Sequence, residues 1–149
     1  LEKVLDCTCH KNVRLAFEPE PGMFIDTMAR YCDLLEALAD RGIDPERLQL
    51  TIDVGHLHCQ GELPIADQLR QWAGRLANVH LEDMRSGVHE HLMFGEGEIE
   101  FPPVIAALAE IGFSGIIAVE LTRHAHVGRQ AARQAYNFLR PLCDAAGGN

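Results

Sequence analysis

Leu48-Gln49-Leu50-Thr51-Ile52-Asp53 is the stretch whose reading decides the fold. Side chains of an extended strand alternate between its two faces, so Asp53, Thr51 and Gln49 share one side and Ile52 and Leu50 the other. The same alternation recurs in Val13–Glu18, Leu76–Leu81 and Gly115–Leu121. Taking Glu18, Asp53, His80 and Glu120 as reference points, one face collects a mixed, partly polar set: Arg14, Ala16, Gln49, Thr51, Leu76, Asn78, Ile116 and Ala118. The opposite face is apolar in every strand, with Leu15, Phe17, Leu50, Ile52, Ala77, Val79, Ile117 and Val119. Helices are expected to cover the apolar face, while the mixed face points into a closed, filled interior. That pattern predicts a (β/α)8 TIM barrel over an open doubly wound sheet, whose faces are both helix-covered and apolar.

Helical patterns separate the strands. Phe24–Arg41 carries Ile25, Met28, Cys32, Leu35 and Ala39 at helical spacing, with Gly42 as its stop. Pro64–Arg75, a helix opened by Pro102-Pro103 and ended by Gly112, and Val127–Ala145 complete the alternation. The segment after the third strand reads as a long polar loop. Residues 1–149 are therefore expected to be a single domain of four βα units, the C-terminal half of a barrel. Leu1–Asn12 reads as the tail of a helix, and the chain as part of a longer protein. Four parallel strands leave bare edges and an open interior side, where Leu76, Ala118 and Ile116 need a cover. Self-association or a missing N-terminal half is the expected remedy.

Composition narrows the partners. Of 149 residues, 22 are acidic and 13 basic, a net charge of −9, so a nucleic-acid partner is unlikely in the absence of a basic footprint. The apolar runs are too short for a membrane span. Five cysteines without repeated spacing imply reduced thiols and a cytoplasmic location. Cys7-x-Cys9-His10 lacks a partner pair and falls on the first helix remnant.

Each strand ends in a side chain able to bind a divalent metal, always on the inward face. Glu18, Asp53, His80 and Glu120 are expected to converge at the C-terminal rim, where barrel enzymes keep their active sites. Three carboxylates and an imidazole suit Mn2+, Mg2+, Co2+ or Zn2+ with positions left for substrate.

Phe17–Gly22 (FEPEPG), Ile52–His56 (IDVGH), Asn78–Asp83 (NVHLED), Gly95–Phe101 (GEGEIEF) and Ala118–Leu121 (AVEL) occur in an order that resembles the xylose isomerase-like TIM barrel superfamily. Sugar isomerases and epimerases, apurinic endonucleases and some dehydratases belong to it. The resemblance covers nearly the whole chain and looks like the C-terminal half of that fold. It implies that Glu18, Asp53, His80 and Glu120 hold a divalent metal, and that His56 contacts substrate or a second metal. Arg85 matches an arginine that epimerase-like members set on substrate oxygens, with a surface arginine as the plain alternative. His89-Glu90-His91 lies where endonuclease-like members carry an Asp-x-His pair. A second metal site of His56, His89 and His91 is thus open, against a solvated loop or a single substrate contact. His58 and Cys59 read as loop, Gly95-x-Gly97 as a turn, and His124 and His126 as pocket lining or a polar helix start.

The leading function is a metal-dependent isomerase or epimerase acting on a small sugar-like hydroxy-carbonyl compound through an enediolate. Glu18 and Glu120, on strands at opposite ends of this half, serve there as the catalytic proton acceptor and donor, with His56 and Arg85 on substrate oxygens. The alternatives are a zinc-dependent apurinic/apyrimidinic endonuclease-like hydrolase and an inactive, assembly-only barrel fragment.

Overall fold

The computed structural model describes residues 1–8, 11 and 13–147. A four-stranded parallel sheet has the order β1(Leu15–Phe17), β2(Leu48–Asp53), β3(Leu76–Leu81), β6(Ile116–Val119). Each crossover carries a helix, which is the connection a parallel ladder requires. The strand bounds of β2 and β3 match the sequence expectation. β1 is shorter than Val13–Glu18, and β6 is shorter than Gly115–Leu121. Among the described residues both are edge strands, with ladder partners on one side only.

Local chemistry sets the helix limits. α1(Glu2–Thr8) docks through Leu5, which is fully buried; Cys9 and His10 lie outside the described residues. α2(Met28–Asp40) begins where Thr27 Oγ1 accepts from Arg30 N, and it stops before Gly42, whose φ of 73° only glycine adopts without strain. α4(Ile65–Trp72) buries Ile65, Ala66 and Leu69. α5(Phe101–Glu110) takes Pro102 and Pro103 in its first turn, where no intrahelical N–H is lost. α6(Gly128–Gly147) buries Ala131 and Ala135 and stacks Phe138 on Phe94, with ring centroids 5.2 Å apart.

The core lies between the sheet and these helices. Leu50, Ile52 and Val79 are at most 1% exposed, and each contributes roughly 1.5–3 kcal/mol by burial. Tyr31 of α2 anchors that helix by donating its hydroxyl to Leu48 O at 3.0 Å and setting its ring edge-on to Trp72.

Several expectations need correction. Ile117 and Val119 are 45% and 41% exposed, so the helix cover fails on the fourth strand. α6 packs on α5 and on the 3-10 turn Thr122–Val127, and β6 has no strand beyond it. Leu76 is buried, not open, whereas Ile116 is 71% exposed. The segment after β3 is an antiparallel hairpin, β4(Asp83–Arg85) and β5(Val88–Leu92), turned at Ser86-Gly87 with Gly87 at φ 69°. His58 and Cys59 belong to a short helix, α3(Val54–Cys59). Among the described residues, no helix is long and apolar enough to cross a membrane.

Candidate metal centre at the strand ends

Asp53 and His80 are ladder partners on adjacent strands, which brings their side chains together on the inward face. Glu18 follows β1 directly, and Glu120 follows β6, its N–H donating to Leu81 O. One donor atom from each of Glu18, Asp53, His80 and Glu120 lies within 4.8 Å of all the others. His80 Nδ1 is the focus, at 2.7 Å from Glu120 Oε2, 3.2 Å from Glu18 Oε1 and 3.9 Å from Asp53 Oδ2. All four residues chosen by strand parity thus meet at one point.

Two buried atoms in this cluster make no aligned hydrogen bond: His80 Nδ1 and Asp53 Oδ2. A buried polar atom without an aligned hydrogen bond is costly, and a cation among these atoms would satisfy both. Asp53 explains its own geometry. Its Oδ1 accepts from Gly55 N at 2.6 Å and His56 N at 3.1 Å, capping α3, which turns Oδ2 toward the cluster. On the far side of His80, Nε2 stands 2.8 Å from the Asn78 amide, whose Oδ1 has no partner. With the amide turned over, the Asn78 carbonyl would accept Nε2–H and leave the Nδ1 lone pair free for a cation.

The electrostatics agree with the geometry. Burial, with Glu18 adding to it, pushes the Asp53 carboxyl up to about 7, although its two backbone N–H bonds pull the other way. His80 is raised, first by the adjacent Glu18 carboxylate, against burial, then by Asp53 and Glu120. Crowded carboxylates around an imidazole hold protons for want of another positive charge. The donor set therefore fits a divalent cation of the oxygen-and-nitrogen type.

A second group stands beside the first. α3 carries His56, and β5 carries His89 and His91, which share a strand face. One ring nitrogen from each lies within 4.8 Å of the others. His56 Nε2 is 3.2 Å from His89 Nε2, and its Nδ1 faces Pro19 O at 3.2 Å and Glu18 Oε1 at 3.7 Å. Burial lowers His56 to about 4 and also lowers His91, which favours the neutral imidazole in both. Neutral imidazole is the form that binds zinc.

Arg85 lies on β4, half exposed, donating to Glu96 O at 3.1 Å and facing Glu90 at 3.9 Å. Glu90 also accepts from Arg123 at 3.0 Å. His124 and His126 sit on the turn after Glu120 and enter neither metal-type group.

The strand-parity reading passed over Glu82 and Asp83. Glu82 is fully buried, contacts His91 Nδ1 through Oε2, and groups with Asp53 and His56. Burial, then the Asp53 charge, pushes its carboxyl up to about 10. Asp83 accepts from Met84 N, Gly95 N, Gly97 N and Ile99 N, at 2.8–3.1 Å, and so pins the Gly95–Ile99 loop against the hairpin. Extending the parity of β3 by two residues from His80 would have found Glu82.

A four-stranded parallel sheet with helical crossovers and ligand-type side chains at its strand ends has the architecture of part of a TIM barrel. The model of the xylose isomerase-like TIM barrel family matches residues 1–142, and the chain belongs to that family. Inosose dehydratase of Clostridium tetani is 30% identical over 137 residues, 80% of this chain and 44% of the dehydratase. Among solved structures, a D-tagatose 3-epimerase-like protein superposes with a TM-score of 0.77 at 23% identity, covering 99% of this chain and 53% of that one. A xylose isomerase domain protein from Alicyclobacillus acidocaldarius gives 0.78 at 23% identity, covering 97% and 56%. The chain spans about half the length of these proteins.

Proposed function

We propose that this chain carries the metal-binding part of an enzyme that moves a proton at the carbon next to a carbonyl, in a sugar or related hydroxy-carbonyl compound. One observation carries the reading: Glu18, Asp53 and Glu120 converge on His80 Nδ1, with Asp53 Oδ2 and His80 Nδ1 buried and without an aligned hydrogen bond. A divalent ion held by these four would supply Lewis acidity to adjacent carbonyl and hydroxyl oxygens.

The chain's own groups do the rest. Glu18 and Glu120 come from the two outer strands of the sheet and approach His80 from different sides. One accepts the α-proton and the other returns it across the enediolate, a division that positioned carboxylates perform. Arg85 holds substrate oxygens at the rim. The same first step serves isomerisation, epimerisation and loss of water, which accords with relatives named both epimerase and dehydratase.

His56, His89 and His91 make the second part of this reading, an imidazole centre of zinc type beside the first. That cluster also favours a second reading, zinc-dependent phosphodiester hydrolysis at abasic DNA, against which stands the net charge of −9. Deuterium exchange decides. With Mn2+ and a panel of ketoses and inososes in D2O, the protein should exchange the α-proton, and Glu18→Gln or Glu120→Gln should slow exchange at least 100-fold while substrate still binds. Full exchange in both variants sinks the assignment; nicking of abasic duplex without exchange installs the hydrolase.

A further inference from the structure

Glu82 is a buried acid that neither the proton transfer nor the four-ligand cluster uses. It follows β3, is wholly inaccessible, and contacts His91 Nδ1 through Oε2 while Oε1 has no hydrogen bond. We propose that Glu82 is the positioning residue of the imidazole centre: its Oε2 accepts Nδ1–H of His91 and so presents His91 Nε2 to an ion shared with His56 and His89. The inference rests on reading those three imidazoles as a cation centre.

Three observations support it. The first is the parallel with His56. There Nδ1 is tied back to Pro19 O at 3.2 Å, and Nε2 faces inward, 3.2 Å from His89 Nε2. With Glu82 on His91, two of the three rings have Nδ1 occupied by a protein oxygen. Metal-binding histidines are held in this way, and loss of the outer partner typically weakens binding 10–100-fold. Coordination through Nε2 requires the proton on Nδ1, and Glu82 is the acceptor there.

The second observation is that space is kept for this carboxyl. A Cβ at Gly55 would stand 2.5 Å from Glu82 Oε1, so the helix bearing His56 approaches Glu82 only because residue 55 lacks a side chain. The third is its anchoring. His91 sits on a hairpin outside the main sheet, whereas Glu82 directly follows β3, so the contact ties the hairpin side of the centre to the end of a sheet strand. Glu82 also lies within 4.8 Å of Asp53 and His56 donor atoms, between the two clusters.

The test is calorimetric titration of the metal-free whole chain with Zn2+ alone, joined to imidazole 15N NMR of the zinc-loaded protein. The wild type should take up two ions, and His89→Ala one. Glu82→Gln, which keeps the side chain's volume, should weaken one ion 10–100-fold and leave the other unchanged, the retained ion serving as the control for folding. In the wild type, His91 should read as protonated at Nδ1 and coordinated at Nε2. Unaltered affinities in Glu82→Gln, equal loss of both ions, or coordination of His91 through Nδ1 would each overturn the role of Glu82 while the centre stood. If His89→Ala leaves the zinc count unaltered, the imidazole centre falls and the role of Glu82 with it.

Discussion

Glu18, Asp53, His80 and Glu120 stand at the ends of four hydrogen-bonded parallel strands, whereas His56, His89 and His91 hang on a six-residue helix and a hairpin beyond the sheet. In the first cluster the ladder places the donors: once Asp53 pairs with His80, their separation follows from strand spacing. In the second, placement depends on side-chain bonds that pin irregular backbone. Asp53 caps the helix, Asp83 gathers four amides, and Glu82 grips His91. Strand ends make a site that survives changes around it, and loops make one that depends on each tie.

The largest effect should come from the strand-end cluster. Asp53→Ala or His80→Ala should cost at least 100-fold in Mn2+ affinity by calorimetry, since each removes a donor and leaves the others' charge unbalanced. Undiminished binding in both would break the contrast at its stronger side. Absence of any bound ion in the wild type at saturating Mn2+ would favour an assembly role instead.

Association comes next. Among the described residues β1 and β6 are unpaired on their outer edges, and Ile116, Ile117 and Val119 are exposed together on β6. The chain by itself should be a dimer or larger, or poorly soluble, in light scattering at micromolar concentration. A cooperatively melting monomer would overturn the closed-barrel account of these edges.

A smaller effect separates the two clusters directly. Asp83→Ala strips the acceptor from buried amides of the Gly95–Ile99 loop and should cost about 3 kcal/mol in denaturant melts. It should weaken zinc at the imidazole centre and leave the strand-end ion unchanged. Equal loss at both would erase the distinction.

The smallest is far from either site. Burial pushes the Tyr31 phenol up to about 12 from 10.0. Its neutral form is favoured in the folded state, so this stability is present below pH 10 and lost as pH rises toward 12. Tyr31→Phe should cost about 1 kcal/mol at pH 8 through the lost bond to Leu48 O, and flatten the alkaline decline. An unchanged decline would exclude Tyr31 as its source.

Legibility divides along the same line as the two clusters. Period-two alternation located β2 and β3 to the residue and picked out all four strand-end donors, because a strand's face is set by position along the chain. The hairpin escaped although Met84-Arg85-Ser86-Gly87-Val88 holds a two-residue turn with glycine at its second position. Six charged or histidine side chains in Glu82–His91 disguised it as solvated loop. α3 escaped because six residues are too few for helical periodicity, and its start is secured by Asp53, a side chain already assigned to another task.

Residue order alone determined the parallel βα architecture, the inward parity of Glu18, Asp53, His80 and Glu120, and the family to which they belong. Those properties are local or periodic, and alternation carries them without knowledge of the partner strand. Tertiary structure decided that Glu82 meets His91, that Gly55 makes room for it, and that Ile117 and Val119 lie partly uncovered. Each depends on where separate elements stop relative to one another. Packing fixes that distance, and no period in the chain encodes it.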